Sequence, residues 1–170
     1  FRTSAGIQKV DMIDYETMAS FVDMKFIEKF RDRAMRPEKP YLKTGAQNPD
    51  VYFQARETVN PYYKACPTIV QRAMDKLGKL TGRFYKLFEY YGHSNAERII
   101  VIMGSGAEAC QDTIDRLLQD KEKVGVVKVR LYRPFSIKNF IETLPKTVKT
   151  IAVLDRTKEP GSAGEPLYLD

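Results

Sequence analysis

The chain has 170 residues, of which 43% are apolar and 29% are charged, and this apolar content suffices for one domain of ordinary size or one domain plus part of another. Its net charge of +6 is interspersed with acidic residues and lacks the one-signed stripe of a nucleic-acid binder. Its longest apolar run, Ile99–Met103, is too short to span a membrane. We therefore expect neither a nucleic-acid partner nor a membrane partner.

The residue types that carry catalysis or bind metals are sparse. The two cysteines, Cys66 and Cys110, lie far apart without a Cys-x-x-Cys motif, which excludes a zinc ribbon or an iron–sulfur cluster held by this chain alone. The one histidine, His93, stands in a turn-like run, and we predict an exposed loop residue there. We accordingly predict no catalytic residue and no metal ligand.

The first half of the chain is predicted to be mostly helical with irregular joints. Asp14 is a plausible N-cap for one helix over Tyr15–Met35, whose apolar stripe drifts around the helix. The next stretch, Tyr41–Asn60, has little periodicity and is predicted to be irregular. A second helix is predicted over Pro67–Leu80, ending at Gly82.

The second half alternates apolar runs with amphipathic segments. Strands are predicted over Arg98–Met103, Val124–Tyr132 and Thr150–Leu154, with a helix between each pair. Two crossovers of this kind indicate a parallel sheet with flanking helices, and hence an α/β fold preceded by a helical and irregular segment. The residues expected to face the sheet are Cys110, Ile114, Leu117 and Leu118 in the first helix and Ile137, Phe140, Ile141 and Leu144 in the second, which Ser136 is predicted to cap.

A glycine-rich turn follows the first predicted strand, at Gly104, Ser105 and Gly106. Such a turn before a helix can bind phosphate, which would make the chain a free-standing nucleotide-binding module. The third glycine of the dinucleotide pattern is absent, however, because Ala109 stands there. Ser105 and Glu108 instead match a capping box, which would account for the turn without a ligand.

A charged loop leaves the third predicted strand, over Asp155–Gly161. Ligands of open α/β sheets bind at this edge, but Arg156, Lys158 and Glu159 mix their signs, whereas a phosphate site favours positive charge. We therefore predict that these three residues dock another domain. This prediction and the nucleotide-binding alternative are separable by ligand titration.

Six blocks spread over the whole chain resemble one known family. They are FRTSAGIQKVDMIDYETMAS, AQNPDVYFQARETVNPYY, LTGRFYKLFEYYG, AERIIVIMGSGAEA, VGVVKVRLYRPF and AVLDRTKEPGSAGEPLYLD. In this order they closely resemble the pyruvate:ferredoxin (flavodoxin) oxidoreductases. The chain departs from the family at Ala5-Gly6, where members commonly carry His-Glu.

The resemblance implies that this chain is a segment of a larger enzyme. Residues 1–90 would be the tail of a first, pyrimidine-type domain with a helical connector, and residues 97–170 a domain similar to the C-terminal domain of transketolases. The family converts pyruvate to acetyl-CoA with thiamine diphosphate, Mg²⁺, [4Fe–4S] clusters and coenzyme A, and passes electrons to ferredoxin or flavodoxin. The segment itself would hold no cofactor and would be inactive alone. Its partners would be the remaining domains of a homodimer in the cytoplasm, or in an anaerobic organelle of a protist.

Overall fold

A computed structural model of the chain describes residues 7, 10–41 and 45–170, so that Ala5-Gly6 lies outside the described residues. The chain divides into two compact units, residues 1–57 and residues 58–170.

The first unit contains three short helices, α1 (Tyr15–Ala19), α2 (Met24–Arg31) and α3 (Pro49–Glu57), none of which buries a residue. The predicted cap is confirmed, because the Thr17 amide donates to Asp14 Oδ1 at 2.7 Å and lowers the pKa of that carboxyl. The single helix predicted over Tyr15–Met35 is wrong. Asp23 starts a new helix by accepting from the Lys25 amide, so its carboxylate competes with helix continuation.

The second unit begins with the longest helix of the described residues, α4 (Asn60–Thr81). It starts seven residues before the predicted Pro67, since a proline in the first turn loses no helical hydrogen bond and Pro67 is tolerated inside the helix. The predicted end is confirmed, because Gly82 follows with φ of 74° and donates its amide to Gly78 O at 2.8 Å. The irregular stretch predicted over Tyr41–Asn60 is wrong in its second half, which holds α3.

Four strands form one sheet in the order β1-β3-β2-β4. They are β1 (Phe88–Gly92), β2 (Arg98–Met103), β3 (Val124–Val129) and β4 (Thr150–Leu154). Helices α5 (Gly106–Gln119) and α6 (Ile137–Thr143) connect the last three strands, and α7 (Pro166–Leu169) follows β4. The α/β class is confirmed, β2 and β4 have their predicted bounds, and β3 ends three residues before the predicted Tyr132.

Strand β1 is the main departure from the predicted parallel sheet. It runs antiparallel to β3, with Phe88 opposite Val129 and Gly92 opposite Gly125, so the sheet is mixed. The aromatic run of β1 is short and has no clear alternation of apolar and polar residues. Its sequence therefore indicates aromatic packing but does not predict a strand. An antiparallel strand at the edge of a parallel sheet is a common arrangement.

Apolar side chains pack on both faces of the sheet. One core cluster joins strand residues such as Phe88 and Val101 to Phe140 of α6, and the other joins Ile102 and Val126 to Ile114 of α5. The predicted inner face of α6 is therefore only partly right. Of its four predicted core residues, Phe140 and Leu144 contact the core, but Ile137 and Ile141 are 62% and 60% exposed.

Two substitutions in α5 should have different effects on stability. Ile114 is 2% exposed, whereas Leu117, also predicted to be a core residue, is only partly buried. We expect Ile114→Ala to lower the free energy of unfolding by about 2–5 kcal/mol, and Leu117→Ala to cost clearly less, because less surface is uncovered. Urea denaturation of the two variants measures both. Equal losses would contradict the packing described here.

Candidate functional site

The candidate site is the edge of the sheet where the three parallel strands end. Because β2, β3 and β4 run in the same direction, the turn at Gly104–Gly106, the segment Arg130–Arg133 and the loop Asp155–Glu165 all leave from this edge. Open α/β sheets bind their ligands here. The site therefore contains both groups of residues that the sequence suggested.

The glycine turn is explained by backbone geometry and packing. Gly104 has a φ of 75°, a conformation that L side chains rarely adopt, and its carbonyl accepts from the Ala107 amide at 3.1 Å. A Cβ on Gly106 would lie 2.9 Å from Ile102 Cδ1. The predicted capping box is wrong, because Ser105 has helical backbone angles and its side chain makes no capping hydrogen bond.

Phosphate binding at Gly104, Ser105 and Gly106 stays a prediction. The amino end of α5 could attract an anion through its free amides. Its first turn, however, already carries the carboxylate of Glu108, which complements the helix dipole and repels a second anion. The close packing of Gly106 also supplies a structural reason for the glycine.

The loop Asp155–Glu165 is organised by its own acidic ends. Lys158 Nζ donates to Glu165 Oε1 at 2.9 Å, and the Glu159 amide donates to Glu165 Oε2 at 2.8 Å. Asp155 Oδ2 accepts from the Leu167 amide at 3.1 Å and so ties the loop to the start of α7. Of the three predicted docking residues, Lys158 therefore has an internal partner. The side chains of Arg156 and Glu159 are exposed and make no hydrogen bond or ion pair with the described residues.

The hydrogen bonds that Glu165 accepts within this loop should depend on pH. The hydrogen bond from Lys158, followed by that from the Glu159 amide, holds the pKa of Glu165 below its usual value. A lowered folded-state pKa stabilises the loop above the ordinary glutamate pKa, and this stabilisation is lost as the pH falls through the lowered value. We expect Glu165→Gln to speed hydrogen exchange at the Glu159 amide. Glu159→Gln is the control and should leave that amide unchanged; equal effects of both would contradict this role of Glu165.

The exit of β3 is held by an ion pair to the end of the described chain. Arg133 Nη1 lies 2.5 Å from Asp170 Oδ1, and the Arg133 guanidinium stacks 4.3 Å from the Tyr132 ring centroid. The hydrogen bond raises the pKa of Arg133 and lowers that of Asp170. All three groups are thus occupied with one another, as expected of a structural contact.

A charged network on β1 and β3 has no local signal in the sequence. Glu89 accepts from Arg130 Nη2 at 2.7 Å and lies 3.4 Å from Lys128 Nζ, while Gln111 Oε1 accepts from Lys128 Nζ at 2.7 Å. Burial raises the pKa of Glu89, but the two cations outweigh it and the net shift is downward. Glu89 lies opposite Lys128 in the register, so this pairing could be predicted only once β1 was recognised.

Side chains that ligate metals are not grouped together in the described part of the chain. No group of three or more His, Cys, Asp or Glu side chains that could hold a metal ion occurs among these residues. Among the described helices, none has both the length and the hydropathy required to cross a bilayer.

This geometry defines an α/β domain in which two cations at the candidate edge, Lys158 and Arg133, bind acidic residues of the same chain. Two models of one enzyme family match the chain: "Pyruvate flavodoxin/ferredoxin oxidoreductase, thiamine diP-bdg" over residues 1–75, and "Pyruvate:ferredoxin oxidoreductase core domain II" over residues 96–170. The chain belongs to the pyruvate:ferredoxin oxidoreductase family.

Individual relatives agree over the whole chain. It is 56% identical over 170 residues to the pyruvate-flavodoxin oxidoreductase of Trichormus variabilis and to the pyruvate:ferredoxin oxidoreductase of Moorella thermoacetica. Each alignment covers 100% of this chain and 14% of the relative. It is 52% identical over 171 residues to the pyruvate dehydrogenase [NADP(+)] of Cryptosporidium parvum, covering 100% of this chain and 9% of that one. The chain thus spans about one seventh of the first two relatives.

One solved structure aligns with part of the chain, a 2-oxoglutarate:ferredoxin oxidoreductase from Magnetococcus marinus with 2-oxoglutarate, coenzyme A and succinyl-CoA bound. The alignment covers 68% of this chain and 17% of that one, at 19% identity and a TM-score of 0.40. A likeness this weak does not bear on the fold described above.

Proposed function

We propose that this chain is a structural, inter-domain segment of an enzyme that oxidatively decarboxylates pyruvate to acetyl-CoA. The observation that carries the proposal is the 56% identity over all 170 residues to two pyruvate oxidoreductases. The structural role is supported by the site, where Glu165 and Asp170 bind neighbouring side chains of the same chain. The domain boundaries proposed from the sequence are residues 1–90 and 97–170.

The parent enzyme would use cofactors that residues elsewhere in its polypeptide hold. These are thiamine diphosphate with Mg²⁺ and [4Fe–4S] clusters, with coenzyme A as a substrate. We propose a homodimer in the cytoplasm, or in an anaerobic organelle if the source is a protist, that passes electrons to ferredoxin or flavodoxin. An NADP-linked acceptor is a further alternative, because the relatives named for flavodoxin, ferredoxin and NADP(+) are 56%, 56% and 52% identical to this chain.

An assay of the purified chain tests whether it is structural. Supplied with pyruvate, thiamine diphosphate, Mg²⁺, coenzyme A and a viologen dye, the 170-residue chain should reduce no dye above a protein-free control. Calorimetric titration with thiamine diphosphate and Mg²⁺ should show no saturable heat, because the described residues contain no group of three or more His, Cys, Asp or Glu side chains that could hold the metal ion. Turnover by the chain alone would contradict a purely structural role.

The docking role of Arg156 can be tested in an exchange enzyme, in which this chain replaces the corresponding 170 residues of the Moorella thermoacetica enzyme. Arg156 is exposed at the carboxyl edge and makes no hydrogen bond with the described residues. We expect Arg156→Ala to change the stability of the isolated chain by less than about 0.5 kcal/mol, yet to weaken assembly of the exchange enzyme. Lys146→Ala, an exposed cation before β4 at the opposite edge, is the matched control. Normal assembly of the Arg156 variant with reduced affinity for coenzyme A would favour a ligand site.

A further inference from the structure

Strand β4 is covered far less than the strand beside it. Ile151 is 41% exposed, whereas its register partner Ile99 on β2 is 3% exposed. On the other face Leu154 is 44% exposed and its partner Ile102 is 8% exposed. On both faces of the sheet, side chains of β4 are therefore much more exposed than their register partners on β2. Parallel strands are normally buried on both faces.

The outer edge of β4 also carries free backbone groups. The Thr150 amide donates to Glu97 O at 3.0 Å, so Thr150 points its backbone groups towards β2. Hydrogen bonding alternates along a strand, and Ile151 and Val153 therefore direct their amides and carbonyls away from β2. The sheet order places no described strand on that side.

Nothing in β4 protects this edge. Its sequence, Thr-Ile-Ala-Val-Leu, contains no lysine, no proline and no charge, and its pairing with β2 shows no bulge. Proteins usually guard exposed edge strands with such devices, since an open edge pairs with other chains. An unguarded edge with apolar residues on both faces is typical of a strand that has a further neighbour.

We propose that the open edge of β4 takes a further parallel strand from the rest of the same polypeptide, together with the helix that connects it. The proposal rests on the proposed function, in which the chain is a segment of a longer enzyme, and the relatives are about seven times longer than this chain. A parallel neighbour needs a crossover of a dozen or more residues, usually a helix. That helix would cover one of the two bare faces.

A second copy of this chain fits the edge less well. Two β4 strands related by a twofold axis would pair antiparallel and would bring no additional helix. Helix α5 contacts β1, β2 and β3, and α6 contacts β1. The four-residue helix α7 does contact β4, but Ile151 and Leu154 stay 41% and 44% exposed, so each copy would leave the faces around them largely open. An added strand with its crossover helix satisfies the edge and also one face.

Hydrogen exchange measured by mass spectrometry on the isolated chain and on the exchange enzyme tests the proposal. The amides of Ile151 and Val153 should exchange rapidly in the isolated chain and at least about 100-fold more slowly in the exchange enzyme, while those of Ala152 and Leu154 stay protected in both. Rapid exchange at Ile151 and Val153 in both proteins would overturn the proposal. Protection in the isolated chain that rises with its concentration would indicate a second copy instead, and would overturn it too.

Pyruvate oxidation by the same exchange enzyme separates this inference from the proposed function. Slow exchange in an inactive enzyme would leave the strand proposal standing and contradict the activity. If the exchange enzyme does not assemble, the aligned strand of the unmodified host enzyme is measured in its place.

A proline substitution supplies a second measurement. Ile151→Pro removes an outward amide and Ile151→Ala removes the same side chain but keeps the amide, so both should destabilise the isolated chain similarly. In the exchange enzyme the proline variant should melt at a clearly lower temperature than the alanine variant. Equal melting temperatures there would overturn the proposal.

Discussion

Replacing Phe88 by Ala should lower the free energy of unfolding of the 170-residue chain by about 3–5 kcal/mol. Phe88 is 2% exposed, and its ring meets Phe135 and Phe140 edge-on with centroid distances of 5.1 Å and 5.5 Å. The substitution removes buried area, leaves a cavity and deletes two aromatic contacts at once. Urea denaturation followed by circular dichroism measures the loss.

Phe84→Ala is the matched control for this prediction. Phe84 lies just before β1 but is 67% exposed, and its ring rests on the face of α4 at Gly78. We expect it to cost clearly less than Phe88→Ala, because most of its ring stays in water in the folded state. Similar losses for the two variants would mean that β1 is not the core strand described above.

Replacing Gly125 by Val should lower the free energy of unfolding by at least about 1–3 kcal/mol through overpacking. A Cβ at this position would lie 2.3 Å from Tyr90 Oη and 2.6 Å from two ring carbons. Gly125 is buried in β3, and the Tyr90 hydroxyl donates to His93 O at 2.5 Å, which holds the ring over the glycine. The strand therefore needs glycine for close packing; its backbone angles are ordinary.

A double-mutant cycle with Tyr90→Ala checks this cause directly. If the clash with the ring is responsible, Gly125→Val should cost much less in the Tyr90→Ala background than in the unmodified chain. Additive losses would show that the valine clashes with something other than Tyr90. Thermal unfolding of the four proteins completes the cycle.

The sheet could be predicted where burial and sequence pattern agree. Ile99–Met103 and Thr150–Leu154 are apolar, β-branched runs bounded by polar residues, and both strands have their predicted bounds. Strand β1 could not be predicted in this way, because its pairing with β3 depends on a contact about 40 residues along the chain, as between Phe88 and Val129. Local pattern carries no information on such a partner.

The candidate site was less predictable than the fold. The edge from which the loop Asp155–Glu165 leaves follows from the topology of the parallel strands alone. The role of Glu165 does not follow, since it bonds Lys158 and Glu159 across a turn whose shape the sequence leaves open. The capping box failed for a related reason: Ser105 and Glu108 have the right spacing, but the backbone of Ser105 is already helical.

The proposed function is tested most directly by the activity of the exchange enzyme. If this chain is the structural segment proposed here, the exchange enzyme should assemble and reduce a viologen dye in a pyruvate- and coenzyme A-dependent reaction within about tenfold of the unmodified Moorella thermoacetica enzyme, because 56% identity preserves most domain contacts. A folded and fully assembled exchange enzyme that does not oxidise pyruvate would contradict the assignment.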